Sequence, residues 1–354
     1  MRRLVLRIAI AAAFVLAFWL LTYTLEPRRT AYSCRFGDRH RYPQQPTQPS
    51  IWEAEDEVQN GNLRFTRQSQ GAKPELLILV LARDANSWSR DFRSTRRSVY
   101  DFIDLLAATG LDFSTVSLAM ATKEVGEYAS MQAATSRIVT ARTMIWLQNE
   151  LDEVPYEQRH NPSIQLARRA SLAKLRNRLM ISALDDEHHI LWLDADVVEL
   201  STEIIQNMLQ QSVKNESVGI ITAMCHQNQM QNYDKNAWRI DSPSLMGPIN
   251  DDGRENAVSQ LVNERLFLPE AMKGSSDDDV VPLDSVGGTI LYIRANLVRQ
   301  GLIFPYFNIV GTTWGKPGWI GVETEGLCYM ARELKGGGCY ALAGHHWARH
   351  TDWG

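Results

Sequence analysis

The chain has 354 residues, a length that suits one large domain or two of ordinary size. Its composition is 44% hydrophobic and 22% charged, which excludes a wholly disordered chain, a collagen and a multi-span membrane protein. The 37 basic and 41 acidic side chains give a net charge of −4, so the charge balance does not predict a nucleic acid as partner. The four cysteines are scattered and form no C-x-x-C pair, which argues against a disulfide scaffold and against a thiolate zinc site.

Residues 1–25 are predicted to be a cytoplasmic tip and an uncleaved membrane anchor. The stretch from Leu4 to Leu25 carries one charge, Arg7, and is long enough to cross a bilayer core of about 30 Å as a helix. A cleaved signal peptide is the alternative, but the stretch ends in bulky residues such as Trp19 and Tyr23, and no small-x-small cleavage motif follows directly. A weak excess of arginine at the N-terminus favours a lumenal body.

The chain after the anchor is predicted to form a stem followed by a globular domain. Residues 26–72 are rich in Pro, Gln and Arg without apolar periodicity, which predicts a stem that holds a domain away from the membrane; a disordered tail is the alternative. The globular domain is predicted to occupy residues 73–354. Asn215 begins the one N-x-[ST] sequon of the chain, so it is a candidate glycosylation site.

In the globular domain, predicted strands alternate with predicted helices. Apolar runs predict strands at 76–81, 116–120, 190–193, 218–223 and 289–293, and helical periodicity predicts helices at 99–106, 128–147 and 163–184. The polar segment 241–279 predicts a loop. This alternation indicates an α/β fold with a mostly parallel, Rossmann-like central sheet flanked by helices.

The most informative segment places two carboxylates, Asp194 and Asp196, directly after the predicted strand at 190–193. In open α/β sheets, ligands bind beyond the carboxyl ends of the strands. Two adjacent carboxylates repel each other, and a divalent cation relieves that repulsion. Mg²⁺ or Mn²⁺ beside a bound diphosphate fits this donor chemistry.

Three interpretations of the pair compete. The first is a nucleotide-sugar glycosyltransferase, in which the pair holds a metal at the leaving nucleoside diphosphate. The second is a phosphatase of the haloacid-dehalogenase type, with Asp194 as nucleophile and residues 277–279 as a later acidic motif. The third is a capping pair on an ordinary surface loop. A phosphatase nucleophile normally follows the first strand of its domain, whereas two predicted strands precede Asp194, so the order of elements favours the transferase.

Six short segments occur in order along the chain: R-D-A at 83–85, L-R-N-R-L at 175–179, L-W-L-D-A-D at 191–196, L-D-S-V-G-G-T at 283–289, F-P at 304–305 and G-V-E-T-E-G at 321–326. Together they resemble glycosyltransferase family 62, the fungal Golgi α-mannosyltransferases of the mannan polymerase complexes. The resemblance spans residues 75–350. It implies a GT-A fold and a type II Golgi membrane protein that uses GDP-mannose with Mn²⁺ or Mg²⁺.

The implied activity is a retaining transfer of α-mannose from GDP-mannose to a mannan or N-glycan outer chain, carried out inside a complex with other mannosyltransferase subunits. A weakly catalytic subunit that serves to assemble such a complex is the alternative within the same fold. The resemblance matches Asp194 and Asp196 to the metal-binding pair. A C-terminal histidine completes the family's metal shell, with His350 as first choice and His346 as second.

The resemblance also assigns roles in substrate binding. Arg83 and Asp84 match the nucleotide-side loop after the first strand. Asp284, Gly287 and Gly288 match the segment at the donor sugar and acceptor, and Asp284 is counted among the catalytic candidates. Glycines without a Cβ let the backbone approach a ligand closely, although a β-bulge explains such a pair equally well.

Three further interpretations stay open on the sequence alone. Glu323 and Glu325 match the E-T-E-G motif near the reacting centre and are the main catalytic candidates, but acidic residues are also favoured at a helix N-terminus. Arg176 is able to reach a phosphate from its helix, or it belongs to a solvated basic face. Cys328 and Cys339 pair in an oxidising lumen, or Cys328 is simply buried.

Overall fold

The computed structural model describes residues 50–90, 96–148, 162–250, 253–277 and 279–351. The predicted membrane anchor and the first part of the predicted stem lie outside these ranges. Within them, no helix combines the length and the apolar character that a bilayer crossing requires.

The strands, in chain order, are β1 Ile51–Val58, β2 Asn62–Ser69, β3 Leu76–Leu81, β4 Val116–Thr122, β5 Arg142–Leu147, β6 His189–Leu193, β7 Val197–Leu200, β8 Val218–His226, β9 Trp238–Arg239, β10 Leu266–Phe267, β11 Val280–Pro282, β12 Ile290–Arg294 and β13 Gly338–His350. Eleven of them form one sheet in the order β1-β2-β5-β4-β3-β6-β12-β8-β13-β11, with β7 beside β13. β9 and β10 form a separate two-stranded sheet.

The centre of the large sheet is mostly parallel, as the alternation of elements predicts. β5, β4, β3 and β6 are parallel neighbours. β12 then runs antiparallel to both β6 and β8, and β13 is parallel to β8. The carboxyl ends of β3, β4, β5 and β6 therefore meet at one edge of the sheet, where an α/β fold binds its ligands.

The helices are α1 Val99–Ala107, α2 Val125–Thr135, α3 Pro162–Ala183, α4 Ile204–Lys214, α5 Arg254–Glu264, α6 Leu268–Ala271, α7 Ala295–Arg299 and α8 Thr324–Ala331. They cover both faces of the sheet. On β3, Ile78 and Val80 share an apolar cluster with α1, α2 and α4, while Leu77 and Leu79 share another with α3, α7 and α8. Because β3 is buried on both faces, its sequence L-L-I-L-V-L shows no polar alternation.

The start of the sheet differs from the sequence-based prediction, which assigned residues 26–72 to a stem. Residues 51–69 contain β1 and β2, an antiparallel hairpin that joins the sheet through pairing of β2 with β5. β1 is an edge strand whose side chains are nearly all exposed. Its sequence I-W-E-A-E-D-E-V therefore lacks the apolar alternation by which a half-buried strand is predicted.

Residues 128–147 hold a helix and a strand instead of the one helix predicted there. α2 ends at Thr135, and residues 142–147 form β5 between β2 and β4. The β5 sequence R-T-M-I-W-L is apolar after its first two residues, and a continuous apolar run fits a buried strand and a buried helix equally well.

Residues 241–279 also differ from their prediction, because this polar segment contains α5 and α6 as well as loops. Only Ala257 and Leu261 of α5 are buried. They join Trp238 and Trp319 in a small apolar cluster of their own. Two buried positions in an eleven-residue helix give a weak periodicity, so the sequence alone did not indicate this helix.

Candidate functional site

The acidic pair lies where the sequence predicts it, at the carboxyl end of β6. Backbone contacts fix the turn: the Asp194 N–H donates to the Thr289 carbonyl of the neighbouring β12 segment (3.1 Å), and the Val197 N–H donates to the Asp194 carbonyl (3.2 Å). The Asp194 side chain is 36% exposed and that of Asp196 21% exposed. Both carboxylates are therefore open to a ligand from solvent.

Arg176 of α3 connects this pair to the E-T-E-G motif. Its Nη2 donates to Asp194 Oδ1 (3.0 Å), and its Nε lies 3.0 Å from Glu323 Oε1. The side chain is only 3% exposed, and its guanidinium carbon lies 5.0 Å from the centre of the Trp192 ring. The interpretation of Arg176 as part of a solvated basic face is therefore wrong.

His350, the first choice for the third metal ligand, contacts the acidic pair. β13 ends beside β7, so His350 is paired with Val197, one residue after Asp196. Its Nε2 lies 2.8 Å from Asp196 Oδ2, and its Nδ1 lies 2.9 Å from the Thr351 carbonyl oxygen. Burial alone would lower the pKa of His350, but the Asp196 carboxylate and the Thr351 carbonyl raise that pKa to about 9.

The other histidines of the segment have different neighbours. His346 Nε2 lies 3.3 Å from the Asn207 side-chain nitrogen on α4, and His345 forms an ion pair with Asp277. The His345 and His346 rings contact each other, with their centroids 4.5 Å apart. Of the three, His350 is the one that the structure places against the acidic pair.

The charges around Asp194 suit a cation. Protein atoms packed around the carboxyl group raise the pKa of Asp194, the Arg176 guanidinium lowers it, and the Asp196 carboxylate raises it again, to about 7 overall. Two carboxylates and an imidazole are donors that Mn²⁺ accepts. Within the described ranges, no three acidic, histidine or cysteine side chains already converge around one point. The donors thus fit the metal in kind, and a metal would compete with Arg176 for Asp194 and with Asp196 for the His350 ring.

Glu323 occupies a strained position in this site. It is the residue before α8, with φ 62° and ψ −130°, a conformation that residues other than glycine rarely adopt. Its N–H donates to the Pro305 carbonyl (2.7 Å), and its side chain is buried beside Arg176. Backbone strain of this kind is held in place by surrounding contacts and is frequent at functional sites.

Glu325, two residues further on, has different partners. Its Oε2 accepts from Arg169 Nη1 (3.1 Å) and its Oε1 from Arg265 Nη2 (2.8 Å). Arg169 belongs to α3, and the Arg265 guanidinium lies 4.6 Å from the centre of the Trp238 ring. The structure thus brings Glu323 to the acidic pair, whereas Glu325 ties α3 and α8 to the segment that follows α5.

Gly287 and Gly288 lie between two charged side chains, one of which the sequence did not indicate. A Cβ at Gly288 would lie 3.0 Å from Arg176 Nη2, and a Cβ at Gly287 would lie 2.5 Å from Asp234 Oδ2. Asp234 Oδ2 accepts a hydrogen bond from the Gly288 N–H (2.7 Å). A side chain at either glycine would therefore displace Asp234 or Arg176 from its present position. Asp234 stands in a polar loop without a motif, so no sequence signal singled it out.

The remaining predicted residues lie nearby in different settings. Asp284 Oδ2 accepts from the Ile240 N–H (2.9 Å), and burial raises the pKa of Asp284. Arg83 and Asp84 follow β3, the direct neighbour of β6. Asp84 caps the short 3₁₀ helix Ala85–Trp88 by accepting from the Asn86 N–H (2.9 Å). The side chains of Asp284 and Asp84 thus both accept hydrogen bonds from backbone N–H groups and stabilise the local backbone conformation.

Two predictions outside the centre also have a structural setting. Cys328 of α8 and Cys339 of β13 form a disulfide, so the pairing alternative is the one observed. Asn215 is exposed at the C-terminal end of α4, where its Oδ1 accepts from the Ser217 hydroxyl (2.8 Å). Glycosylation of Asn215 stays a prediction.

The sequence matches a known family. The Anp1 family model matches residues 56–308, well over half of the chain. The chain belongs to the Anp1 family. This confirms the resemblance to glycosyltransferase family 62, and membership of a glycosyltransferase family decides against the phosphatase interpretation of Asp194.

Among the family relatives are three yeast proteins. The chain is 32% identical over 194 residues to the mannan polymerase complex subunit mnn9 of Schizosaccharomyces pombe, 29% over 196 residues to subunit MNN9 of Candida albicans, and 27% over 188 residues to the VAN1 subunit of the mannan polymerase I complex of Saccharomyces cerevisiae. These matches cover 52%, 52% and 51% of this chain and 53%, 50% and 33% of the relatives. The aligned region thus spans about half the length of the curated relatives, or less.

Solved structures show a more distant likeness of fold. Staphylococcus aureus TarS (residues 1–349) is 10% identical with a TM-score of 0.40, covering 78% of this chain and 60% of that one. Glucosyl-3-phosphoglycerate synthase of Mycobacterium tuberculosis, in complex with Mn²⁺, UDP and glucosyl-3-phosphoglycerate, is 12% identical with a TM-score of 0.34, covering 79% of this chain and 71% of that one. In the Anp1-family chain itself, the central mostly parallel sheet with helices on both faces agrees with the predicted GT-A-like α/β architecture.

Proposed function

We propose that this protein is a metal-dependent, retaining α-mannosyltransferase that moves mannose from GDP-mannose to a mannose hydroxyl of a mannan or N-glycan outer chain. We further propose that it works in the Golgi lumen as a type II membrane protein. Two groups of side-chain contacts at the carboxyl end of β6 support the proposal. Asp196 contacts His350, and Arg176 contacts both Asp194 and Glu323. Together they combine a set of metal donors with a buried carboxylate next to the same edge.

Each of these residues has a distinct task in the proposal. Asp194, Asp196 and His350 would hold Mn²⁺ or Mg²⁺, which when bound would stabilise the negative charge of the departing diphosphate. Arg176 fixes the orientation of Asp194 and Glu323 from a buried position. Its Nη1 is also buried and has no hydrogen-bond partner in the part of the chain that the structure describes, so it is a donor available to a diphosphate oxygen.

Glu323 is the candidate for the carboxylate beside the transferred sugar. A retaining transfer proceeds either through a covalent carboxylate intermediate or by attack of the acceptor from the face that the diphosphate leaves. Both routes use groups held rigidly near the sugar, and Glu323 is held by Arg176 and by its own strained backbone. Gly287 and Gly288 leave the room between Arg176 and Asp234 that a side chain would fill.

The names of the relatives support a place in a multi-subunit complex with other mannosyltransferase subunits. One observation favours the alternative of a weakly catalytic, assembling subunit: each carboxylate of the acidic pair already has a protein cation as partner, Arg176 or His350. Metal binding has to compete with these partners. Direct measurement of activity separates the two proposals.

The test is a transfer assay with the purified full chain, Mn²⁺, mannobiose as acceptor and a panel of donors that includes GDP-mannose, GDP-glucose and UDP-glucose. We expect transfer from GDP-mannose alone, with loss of product when EDTA removes the metal and recovery when Mn²⁺ is restored. Linkage analysis of the product then identifies the bond formed. A folded chain that transfers no sugar alone, but raises the activity of a co-purified family member, would support the assembling role instead.

A further inference from the structure

A hairpin leads from the candidate catalytic glutamate out to solvent. We call residues 309–321 the site hairpin. Its two arms are joined by backbone hydrogen bonds, from the Val310 N–H to the Ile320 carbonyl (3.0 Å) and from the Thr313 N–H to the Lys316 carbonyl (3.0 Å). Its second arm ends at Gly321, two residues before Glu323. The hairpin is therefore anchored in the site described above.

The tip of the site hairpin carries a fully exposed tryptophan. Trp314 has a relative exposure of 108%, whereas tryptophan is on average among the more buried residues. The other large apolar side chains of the hairpin are buried or half-buried, including Val310 and Trp319. A fully exposed indole on an otherwise well-packed hairpin presents a large, rigid apolar face to solvent.

Packing at the base of the hairpin fixes how Trp314 is presented. Trp319 of the second arm is 7% exposed and belongs to the small apolar cluster around Trp238. A Cβ at Gly318 would lie 2.3 Å from the Asn308 carbonyl oxygen, so the two arms are in close contact. One tryptophan thus anchors the hairpin and the other stands free at its tip.

Two more aromatic side chains lie next to the base of the hairpin. Tyr306 and Phe307 are 45% and 46% exposed, and their ring centroids lie 5.4 Å apart. They follow Pro305, whose carbonyl accepts the Glu323 N–H (2.7 Å). We call Tyr306, Phe307 and Trp314 the aromatic ridge. It begins next to Pro305, the residue that accepts from Glu323, and ends at Trp314, seven residues after Phe307 in the chain.

We propose that the aromatic ridge binds the acceptor oligosaccharide, with Trp314 stacking against a sugar unit several positions away from the reacting hydroxyl. This inference rests on the proposed transferase function and adds a determinant of acceptor length to it. One face of a pyranose ring presents C–H groups, which pack against the negative face of an indole, while its hydroxyls reach polar neighbours. Thr313 and Lys316 flank Trp314 and supply such neighbours.

The composition of the ridge favours a sugar chain over a partner protein. The core of a protein interface is a continuous apolar patch. Here one ring at the tip and two at the base are separated along the chain by residues 308–313, in which Val310 is buried and the three residues next to the tip are G-T-T. Separate flat rings with polar neighbours match a chain of sugars, each with an apolar face and a polar edge.

The experiment compares Trp314→Ala with Trp52→Ala in the full chain. Trp52 is a matched control because it is 50% exposed but lies on β1, at the end of the sheet order furthest from β13. Initial rates with GDP-mannose are measured for mannobiose and for a linear mannopentaose. Binding of mannopentaose is measured separately by ligand-observed NMR without donor or metal.

We expect Trp314→Ala to raise KM for mannopentaose relative to KM for mannobiose by roughly three- to tenfold, as loss of one aromatic contact implies, and to weaken the NMR-detected binding. Trp52→Ala should retain the wild-type ratio. Unchanged binding and an unchanged ratio in Trp314→Ala would overturn the proposal, as would a change in oligomeric state without a change in binding. The binding measurement needs no transfer, so failure of the transferase function would be seen independently in the wild-type rates.

Discussion

Arg176 connects the two halves of the candidate site, because its guanidinium lies between Asp194 and Glu323. The Glu323 carboxylate is buried, and the Arg176 Nε lies 3.0 Å from its Oε1. Removing one partner of a buried ion pair leaves an uncompensated charge and costs far more than removing a surface pair. The same residue therefore supports both the local structure and the proposed chemistry.

Replacement of Arg176 separates these two contributions. Arg176→Met should lower the free energy of unfolding by about 3–5 kcal/mol, measured by urea denaturation. Arg176→Lys keeps a positive charge but not the two-sided contact, so we expect a folded protein with transfer lowered by roughly 10²-fold. Arg137→Met is the control, because the exposed Arg137–Asp104 pair should contribute about 1 kcal/mol or less. Wild-type turnover in Arg176→Lys would contradict this account.

Asp196 gives the sharpest prediction for a single side chain. Asp196→Ala removes one donor of the proposed metal site, and we expect mannose transfer to fall by roughly 10³-fold or more while the circular dichroism spectrum stays native. The exposed Asp104, changed to alanine, should retain activity and serves as the matched control. Near-normal turnover of folded Asp196→Ala would refute its assignment to the metal.

Among the individual site residues, the sequence indicated those that belong to motifs. Asp194, Asp196, Arg176 and His350 were predicted, and the structure brings them together with Glu323. Asp234 could not be predicted, because its role depends on the fold bringing a polar loop against the Gly288 N–H. The motif pair Glu323 and Glu325 looks equivalent in sequence, and only the three-dimensional contacts distinguish the two.

Among the elements, α8 has a covalent connection to the sheet. The disulfide between Cys328 and Cys339 joins α8, which Glu323 precedes, to the second residue of β13. Reducing it should lower the free energy of unfolding by about 3 kcal/mol in the chain-entropy estimate for a short loop. Thermal unfolding of the double variant Cys328→Ser/Cys339→Ser, with and without reductant, tests this. Reductant should lower the thermal stability of the wild type and leave that of the double variant unchanged. A double variant as stable as the oxidised wild type would contradict the prediction.

Near the amino ends of β5 and β6, the contacts of Glu187 predict that the stability of the protein depends on pH. Burial alone raises the pKa of Glu187, but the Ser117 hydroxyl, the Asp185 N–H and the Arg142 guanidinium outweigh burial and hold this pKa below its ordinary value of 4.5. The Arg142 Nη2 to Glu187 Oε1 distance is 2.6 Å. Since the folded-state pKa is depressed, the stabilisation is present above pH 4.5 and is lost as the pH falls below it.

We therefore expect Glu187→Gln to unfold more easily at pH 7, by roughly 2–3 kcal/mol, and to lose less stability than the wild type below pH 4.5. Urea denaturation at a series of pH values measures both effects. The exposed Glu333, changed to glutamine, should retain the wild-type pH profile. Parallel stability profiles for the wild type and Glu187→Gln would show that the Arg142–Glu187 pair does not cause the pH dependence of stability.

The elements that the sequence predicts well are those with strong, continuous burial. β3, β4, β6, β8 and β12 and the helices α1 and α3 lie close to their predicted positions. β1 was missed because an exposed edge strand has no apolar pattern, and β5 because a uniformly apolar run has no period. β13, the strand that carries His350, mixes histidine, arginine and glycine with small apolar residues and gives no periodic signal.

For the whole molecule, the α/β class and the mostly parallel sheet follow from alternation of elements, whereas the order of strands does not. The insertion of antiparallel β12 between β6 and β8 brings Gly287 and Gly288 next to Asp194, although almost a hundred residues separate them in the chain. The family match covers residues 56–308, so the His350 contact and the E-T-E-G loop lie beyond the matched region and depend on the structure.

We propose that Asp194, Asp196 and His350 hold a divalent cation at the diphosphate of the donor. A crystal structure of the full chain grown with Mn²⁺ and GDP, with anomalous data collected at the manganese edge, measures this directly. We predict one anomalous peak between Asp194, Asp196 and the β-phosphate, with the His350 ring turned to it. GDP bound at this edge without a manganese peak, or a peak at a different place in the molecule, would contradict the account.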